Sequence, residues 1–153
     1  MVKQKTRKRI ICLDFDGVIH KYISPWKGAR IIEDPPVQFY SVEKKRMMSS
    51  IEWIEDFVMM NCKVPDSIAP LVTSSPYELN IYSSRSRYWG GRKAMKKWLV
   101  KNGLDKRYLE VIKFPLFKPP YHLMIDDRVY LFEGVFPTIS YIEFFKPWNS
   151  DKK

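Results

Sequence analysis

The sequence is poor in the residues that build disulfide frameworks and cysteine or histidine metal clusters. Among its 153 residues are two cysteines, two histidines and six glycines. Two cysteines exclude a disulfide-stapled scaffold and a zinc quartet, and they suit a reducing compartment. No apolar run approaches the roughly 20 residues that cross a bilayer, and no signal-peptide pattern is visible. We therefore expect a soluble, cytoplasmic protein with no membrane partner.

Acidic residues are also in short supply relative to basic ones. The chain has 27 Lys and Arg against 17 Asp and Glu, a formal net charge of +10. Such a surface attracts phosphate-bearing partners, whether nucleotides, nucleic acid or anionic lipid. Part of the excess lies in the basic terminus over residues 1–9, which predicts either a flexible solubilising end or a nucleic-acid-binding arm.

Length and composition favour one globular domain over residues 1–153. A chain of this length can bury a proper core but is short for two domains. Hydrophobic residues make up 45% and charged residues 29%, which argues against extended disorder.

The order of the hydrophobic patterns predicts an α/β fold with a mostly parallel sheet. Short apolar runs that read as strands alternate with amphipathic segments that read as helices, and this alternation is typical of a parallel sheet flanked by helices. The predicted strands are 10–13, 79–82, 109–114, 122–125 and a last one over 138–142. The predicted helices are 50–60, with an upstream extension over 44–48, and a second helix that opens at Gly90-Gly91 and runs to Lys101.

Two segments fit neither pattern. Residues 20–38 contain prolines, glycine and aromatic side chains, and they predict an ordered flap. Residues 61–78 are rich in Pro, Ser and Thr, and they predict an irregular insertion.

Three of the predicted strands are followed directly by residues with polar side chains. Asp14 and Asp16 follow the first strand, Ser83 follows the second, and Asp126 and Asp127 follow the fourth. Ligands of open α/β sheets bind at this edge. Each residue alone is equally typical of a turn, a backbone cap or a surface ion pair, so the joint placement carries the prediction.

These segments resemble the four motifs of the haloacid dehalogenase (HAD) superfamily, in the family's order. The matching stretches are Leu13-Asp14-Phe15-Asp16-Gly17-Val18, Ile81-Tyr82-Ser83-Ser84-Arg85, Lys118 and Ile125-Asp126-Asp127-Arg128. The resemblance implies a Rossmann-like (HAD-like) sheet and a bound Mg²⁺. It also implies hydrolysis of a phosphate monoester through an aspartyl-phosphate intermediate.

The resemblance also implies a role for each motif residue. Asp14 would be the nucleophile, and Asp16 would act first as general acid and then as general base. The expected Mg²⁺ ligands are Asp14, the backbone carbonyl of Asp16, and Asp126, with Asp127 orienting a bound water or the catalytic lysine.

Two further motif residues would contact the transferring phosphoryl group. Ser83 would donate a hydrogen bond to it, and Lys118 would balance its charge. Ser84 and Lys113 stay open as alternatives to these two.

No large cap domain separates the first two motifs, so the resemblance is to capless members of the family, which commonly act on bulky or macromolecular substrates. Arg85, Arg87 and Lys27 are the candidate substrate-binding residues, since Arg suits bidentate phosphate contacts. The motifs also resemble those of the 3′-phosphatase domain of phage polynucleotide kinases, although no kinase P-loop is present. A nucleotide or a nucleic-acid end is therefore the expected substrate.

Three other functions deserve comparison. A basic nucleic-acid-binding module with a non-catalytic HAD-like fold would need the basic residues alone. A receiver-type phosphoacceptor domain would have its pair of adjacent acids after the first strand. Here the adjacent pair, Asp126-Asp127, follows the fourth predicted strand. A Toprim-like nuclease would reverse the order of the acidic motifs.

Overall fold

Three parallel strands form the central sheet, and β1 (Arg9–Leu13) lies between β4 (Tyr77–Ile81) and β5 (Leu123–Ile125). The computed structural model describes residues 7–65, 77–129, 131 and 133–148. Leu13 pairs with Ile81 on one side and with Ile125 on the other. Because all three strands run the same way, their carboxyl ends meet at one edge of the sheet. The polar residues that follow the strands were predicted to lie at this edge.

The two predicted helices are present and cover the core. Helix α1 (Ser50–Asn61) begins at a capping box, in which Ser49 accepts a hydrogen bond from the backbone of Glu52 and the Glu52 side chain bonds back to Ser49. Helix α2 (Gly91–Lys101) buries Met95, Trp98 and Leu99. Burying an apolar side chain of this size contributes about 1.5–3 kcal/mol, so these helical stripes hold both helices to the sheet.

The upstream extension of α1 over residues 44–48 is wrong. This region forms an antiparallel ribbon of β2 (Gln38–Ser41) and β3 (Arg46–Ser49). Met48 is buried while Met47 is exposed, which is the alternation of a strand with one covered face.

Two predicted strands are also wrong. Over 109–114 the chain contains the end of a 3₁₀ helix, Lys106–Glu110, and pairs with β4 only through a single bridge between Asn80 and Lys113. Asp105 caps that helix by accepting a hydrogen bond from the backbone of Arg107. Over 138–142 the chain forms α3 (Ile139–Phe144), since Thr138 caps a helical turn there. Local capping outweighed strand propensity over 109–110 and over 138–142.

The predicted flap over 20–38 is irregular up to β2, with isolated bridges at His20 and Pro36. Most of the predicted basic terminus and insertion, residues 1–6 and 66–76, lies outside the described residues.

The fold is a mixed α/β arrangement with a small parallel sheet. None of the helices in the described ranges has the length and hydrophobicity of a membrane-spanning segment.

Candidate functional site

Three carboxylates converge at the carboxyl edge of the sheet. Asp14 follows β1, and Asp126 and Asp127 follow β5. The backbone N–H of Asp14 donates to the carbonyl of Ile125 over 2.9 Å, which holds the two strand ends together. One carboxylate oxygen from each of the three residues lies within 4.8 Å of the others. We name Asp14, Asp126 and Asp127 the acidic cluster.

The surroundings of the Asp14 carboxyl group disfavour its ionised form. Burial and the neighbouring charge of Asp126 raise its pKa from 3.8 to about 8. One oxygen accepts a hydrogen bond of 2.8 Å from the backbone of Phe15, which opposes this shift only in part. A positive charge placed at the cluster would restore the ionised form.

Asp127 is the most unusual member of the acidic cluster. Its side chain is 1% exposed, and neither oxygen has a hydrogen-bond partner among the described residues. The nearest cation, Nε of Arg128, lies 3.9 Å away, which is too long for a hydrogen bond. Burial raises the pKa of Asp127, with Asp126 adding to the effect. A buried carboxylate without a partner is costly, so this cluster is suited to a cation with hard oxygen ligands.

Gly17 makes the approach to Asp127 possible. It has φ +89°, and a Cβ atom at this position would lie 2.3 Å from Oδ2 of Asp127. Only glycine fits both the backbone conformation and the space. Nearby, Asp126 caps its own turn by accepting a hydrogen bond of 2.9 Å from the backbone of Arg128.

Asp16 has a different environment from the acidic cluster. Nε of Arg85 donates to both of its oxygens over 2.9 Å, Oγ of Ser83 lies 3.1 Å from Oδ2, and Nδ1 of His20 lies 3.2 Å from Oδ1. Burial alone would raise the pKa of Asp16, but the contacts with His20 and Arg85 lower it. Asp16 is therefore held as an ionised carboxylate.

Arg85 ties the flap to the sheet. Its side chain is 2% exposed. Nη1 donates to the backbone carbonyls of Gly28, Ala29 and Ile31, and its guanidinium carbon lies 4.5 Å from the centre of the Trp26 ring. These contacts give Arg85 a structural role, and substrate contact by this residue stays a prediction.

Sequence reasoning missed Asp34, which completes the buried network around His20. Asp34 accepts hydrogen bonds from the backbone of Ile23 and from the backbone and hydroxyl of Ser24. Burial works to raise its pKa, but these bonds lower it. Nε2 of His20 lies 3.7 Å from Asp34 and has no hydrogen-bond partner in the described ranges. No local pattern in the irregular flap marks Asp34 as buried.

Three further candidate residues, Ser83, Ser84 and Lys118, differ in their burial and in their contacts. Ser83 is buried and caps the 3₁₀ helix Ser84–Arg87, whereas Ser84 is exposed. Lys118 is exposed, with Nζ 5.3 Å from the centre of the Tyr121 ring, and forms no ion pair within the described part of the chain.

The other basic candidates are exposed. Lys27 pairs with Glu33 and Lys113 pairs with Glu78, each over 2.8 Å. Arg87 is exposed on the 3₁₀ helix Ser84–Arg87. The structure thus brings together Asp14, Asp126 and Asp127, and separately Asp16, Ser83 and Arg85. It does not bring Lys118 into a direct contact with either group.

Comparison with known proteins adds no relative. A scan against protein-family models, a search of curated proteins and a search of solved structures each found no match to this chain.

Proposed function

We propose that the protein is a Mg²⁺-dependent phosphomonoesterase with a Rossmann-like, HAD-like, capless fold, acting on a nucleotide or a nucleic-acid end. The main support is the carboxylate of Asp127, which is buried without a hydrogen-bond partner in the described ranges and lies beside Asp14 and Asp126. Three acids at the carboxyl edge of a parallel sheet need a cation, and hard oxygen ligands suit Mg²⁺. The two cysteines are free and buried, which is consistent with a cytoplasmic protein.

The residues at this edge fit such an ion. Asp14 and Asp126, together with the backbone carbonyl of Asp16, would hold it, and Asp127 would orient its surroundings. When bound, Mg²⁺ supplies positive charge that lets an anionic nucleophile approach an anionic phosphate.

Asp14 is the proposed nucleophile. One of its carboxylate oxygens forms a bond to phosphorus while the bond from phosphorus to the ester oxygen breaks. The leaving oxygen takes a proton and departs as an alcohol. Water then attacks phosphorus of the aspartyl phosphate, its proton is accepted by a base, and inorganic phosphate leaves with Asp14 restored.

Asp16 is the proposed acid and base of these two steps. Its ionised state, held by Arg85 and His20, suits the second step, in which a carboxylate accepts a proton from water. The first step requires a proton on Asp16, which the same contacts disfavour. Protonation or displacement of Asp16 on substrate binding is therefore part of the proposal.

Ser83 and Lys118 are the proposed phosphoryl contacts. Ser83 donates its hydroxyl proton toward Asp16, so it stands next to the proposed acid and base. Lys118 is exposed and unpaired within the described part of the chain, so it is available to an incoming phosphate, as is Arg87 at the surface. Lys27 pairs with Glu33 over 2.8 Å and would exchange this partner for the phosphate.

The test is a panel of phosphate esters with the wild-type chain and Asp14→Asn. The panel contains p-nitrophenyl phosphate, mononucleotides, and oligonucleotides with 3′- or 5′-phosphate, each assayed for phosphate release with Mg²⁺ and with EDTA. We expect release that needs Mg²⁺ and that Asp14→Asn abolishes. Release that persists in Asp14→Asn or in EDTA would contradict the proposal.

A second candidate is a basic nucleic-acid-binding module with a non-catalytic HAD-like fold. It is favoured by the row of basic residues on α2, which lines an open groove. Strongly salt-dependent binding of nucleic acid, with no release of phosphate from any ester in Mg²⁺, would support this candidate over the phosphatase.

A further inference from the structure

A wide groove runs along the outer face of α2. Its volume is about 1210 Å³, and its walls come from α2, from the 3₁₀ helix Ser84–Arg87 and from the flap. Ser86 lines it, and Oγ of Ser86 accepts a hydrogen bond of 3.1 Å from the backbone of Ser83. The groove therefore begins beside Ser83, which follows β4 and contacts Asp16.

The walls of this groove carry positive charge. Among the residues that the structure describes, neither Asp nor Glu lines it. Outside α2, Arg30 and Arg87 contribute, and among the described residues none of the groove's lysines and arginines forms an ion pair. By contrast, Lys27, Lys44 and Lys113 all pair with carboxylates. The basic residues of α2 in the groove are Arg92, Lys93, Lys96, Lys97 and Lys101.

A helix face that served only solubility would mix charges of both signs. Here Lys93, Lys97 and Lys101 follow one another at a spacing of four residues, where like charges repel and destabilise a helix. A bound polyanion would offset this repulsion. The charge pattern therefore indicates a ligand that carries several phosphates in a row.

Two exposed aromatic side chains indicate which kind of polyanion would bind in the groove. Tyr88 is 61% exposed and Trp89 is 86% exposed, and both line the groove. The guanidinium of Arg30 lies 5.3 Å from the centre of the Trp89 ring, so a flat stacked surface faces the groove. Aromatic and guanidinium planes stack with unpaired bases, which a duplex does not offer.

We propose that the groove binds single-stranded nucleic acid, with the phosphates on the lysines of α2 and a base on Trp89. Helix α2 is about 16 Å long, so its lysines can contact several successive phosphates of one strand. Binding by itself needs no catalysis. The inference rests on the proposed function only in that the phosphorylated end of the bound strand would be the substrate.

The test measures binding of fluorescein-labelled 15-nucleotide strands, oligo(dT) and oligo(U), by anisotropy in EDTA between 50 and 200 mM salt. Lys93→Glu/Lys97→Glu is compared with Lys63→Glu/Lys106→Glu, which makes the same charge change at exposed lysines outside the groove. We expect the groove variant to bind at least about tenfold more weakly, with a salt slope lower by about 1.4 for two lost contacts. The control variant should stay within about twofold of wild type. Equal losses in the two variants would overturn the proposal.

Stacking is tested with an abasic strand of the same length and with Trp89→Ala. We expect wild type to bind the abasic strand roughly tenfold more weakly than oligo(dT), and Trp89→Ala to bind both strands alike. If a duplex or the abasic strand bound wild type as tightly as oligo(dT), the groove would be a general polyanion site and the single-strand assignment would be overturned.

Release of phosphate by wild type with Mg²⁺ is measured on the same preparation with the full panel of p-nitrophenyl phosphate, mononucleotides and 3′- or 5′-phosphorylated oligonucleotides. Release without strand binding would overturn the groove and leave the phosphatase standing. Strand binding without release would overturn the phosphatase and support the groove.

Discussion

Nε of Arg85 lies 2.9 Å from both carboxylate oxygens of Asp16, and this ion pair joins the end of β1 to the segment after β4. Arg85 also donates to three backbone carbonyls of the flap. One buried guanidinium therefore fixes the proposed acid and base and closes the flap around it. Stability and activity are linked at this position.

We expect Arg85→Met to lower the free energy of unfolding by about 3–5 kcal/mol, because it leaves Asp16 as an uncompensated buried charge. Arg87→Met is the matched control, since Arg87 is exposed on the same 3₁₀ helix, and should change stability by less than about 0.5 kcal/mol. Urea unfolding measures both. Similar losses in the two variants would show that the ion pair does not hold the flap.

Gly17→Ala should destabilise the protein more than Gly103→Ala. Both glycines have positive φ, +89° and +107°, so both substitutions strain the backbone. Only Gly17 is close to a neighbour, and the new methyl group would collide with Asp127. We expect an additional cost of about 1–3 kcal/mol in thermal or urea unfolding. Equal costs would mean that the loop after β1 does not approach Asp127 as described.

The pKa of Asp14 predicts how the metal-free protein responds to pH. The pKa is raised from 3.8 to about 8, so between these values the folded chain holds a proton that the unfolded chain has released. In EDTA, stability should therefore fall as pH rises from about 4 to about 8. Asp14→Asn should weaken this dependence and be more stable than wild type at pH 8, with little difference at pH 4.

Thermal unfolding at several pH values in EDTA measures this effect. The raised pKa of Asp127 leaves a residual slope in Asp14→Asn. Glu133→Gln, at an exposed carboxyl outside the acidic cluster, should keep the wild-type slope. An Asp14→Asn variant that is less stable than wild type at pH 8 would show that Asp14 is not electrostatically strained.

Asp16→Asn should lower kcat for alkyl phosphates by about 10²- to 10⁴-fold, the usual contribution of a general acid or base. The loss should be smaller in the first step for p-nitrophenyl phosphate, whose leaving group needs no proton, and phosphoenzyme should accumulate. Rapid-quench measurement of the phosphoenzyme separates the two steps. An equal loss for both esters, without accumulation, would mean that Asp16 acts only by positioning Ser83 and Arg85.

The parts of the fold that sequence predicted are those with strong local patterns. The apolar run before Asp14 specified β1, and apolar residues at helical spacing specified α1 and α2. The acidic cluster followed from the same logic, because parallel strands bring their carboxyl ends to one edge.

The parts that sequence did not predict depend on contacts between distant segments. The sequence marks Arg85 only as a candidate substrate-binding residue, and its burial depends on its contacts with Asp16 and the flap carbonyls. Asp34 pairs with Ser24 in a segment without periodicity. A strand was predicted over 138–142, but these residues begin a helix. The preference of this segment for a strand is weak, and the cap at Thr138 favours the helix.

The central claim is that Asp14, Asp126 and Asp127 serve a single divalent cation. Calorimetric titration of the wild-type chain with Mg²⁺ at pH 8 tests it most directly, with Asp127→Asn and the control Asp105→Asn, at a carboxyl outside the acidic cluster, measured alongside. We predict one ion bound per chain, an affinity about 10- to 100-fold lower in Asp127→Asn, and no change in Asp105→Asn. Absence of saturable Mg²⁺ binding, or equal affinity in wild type and Asp127→Asn, would contradict the claim.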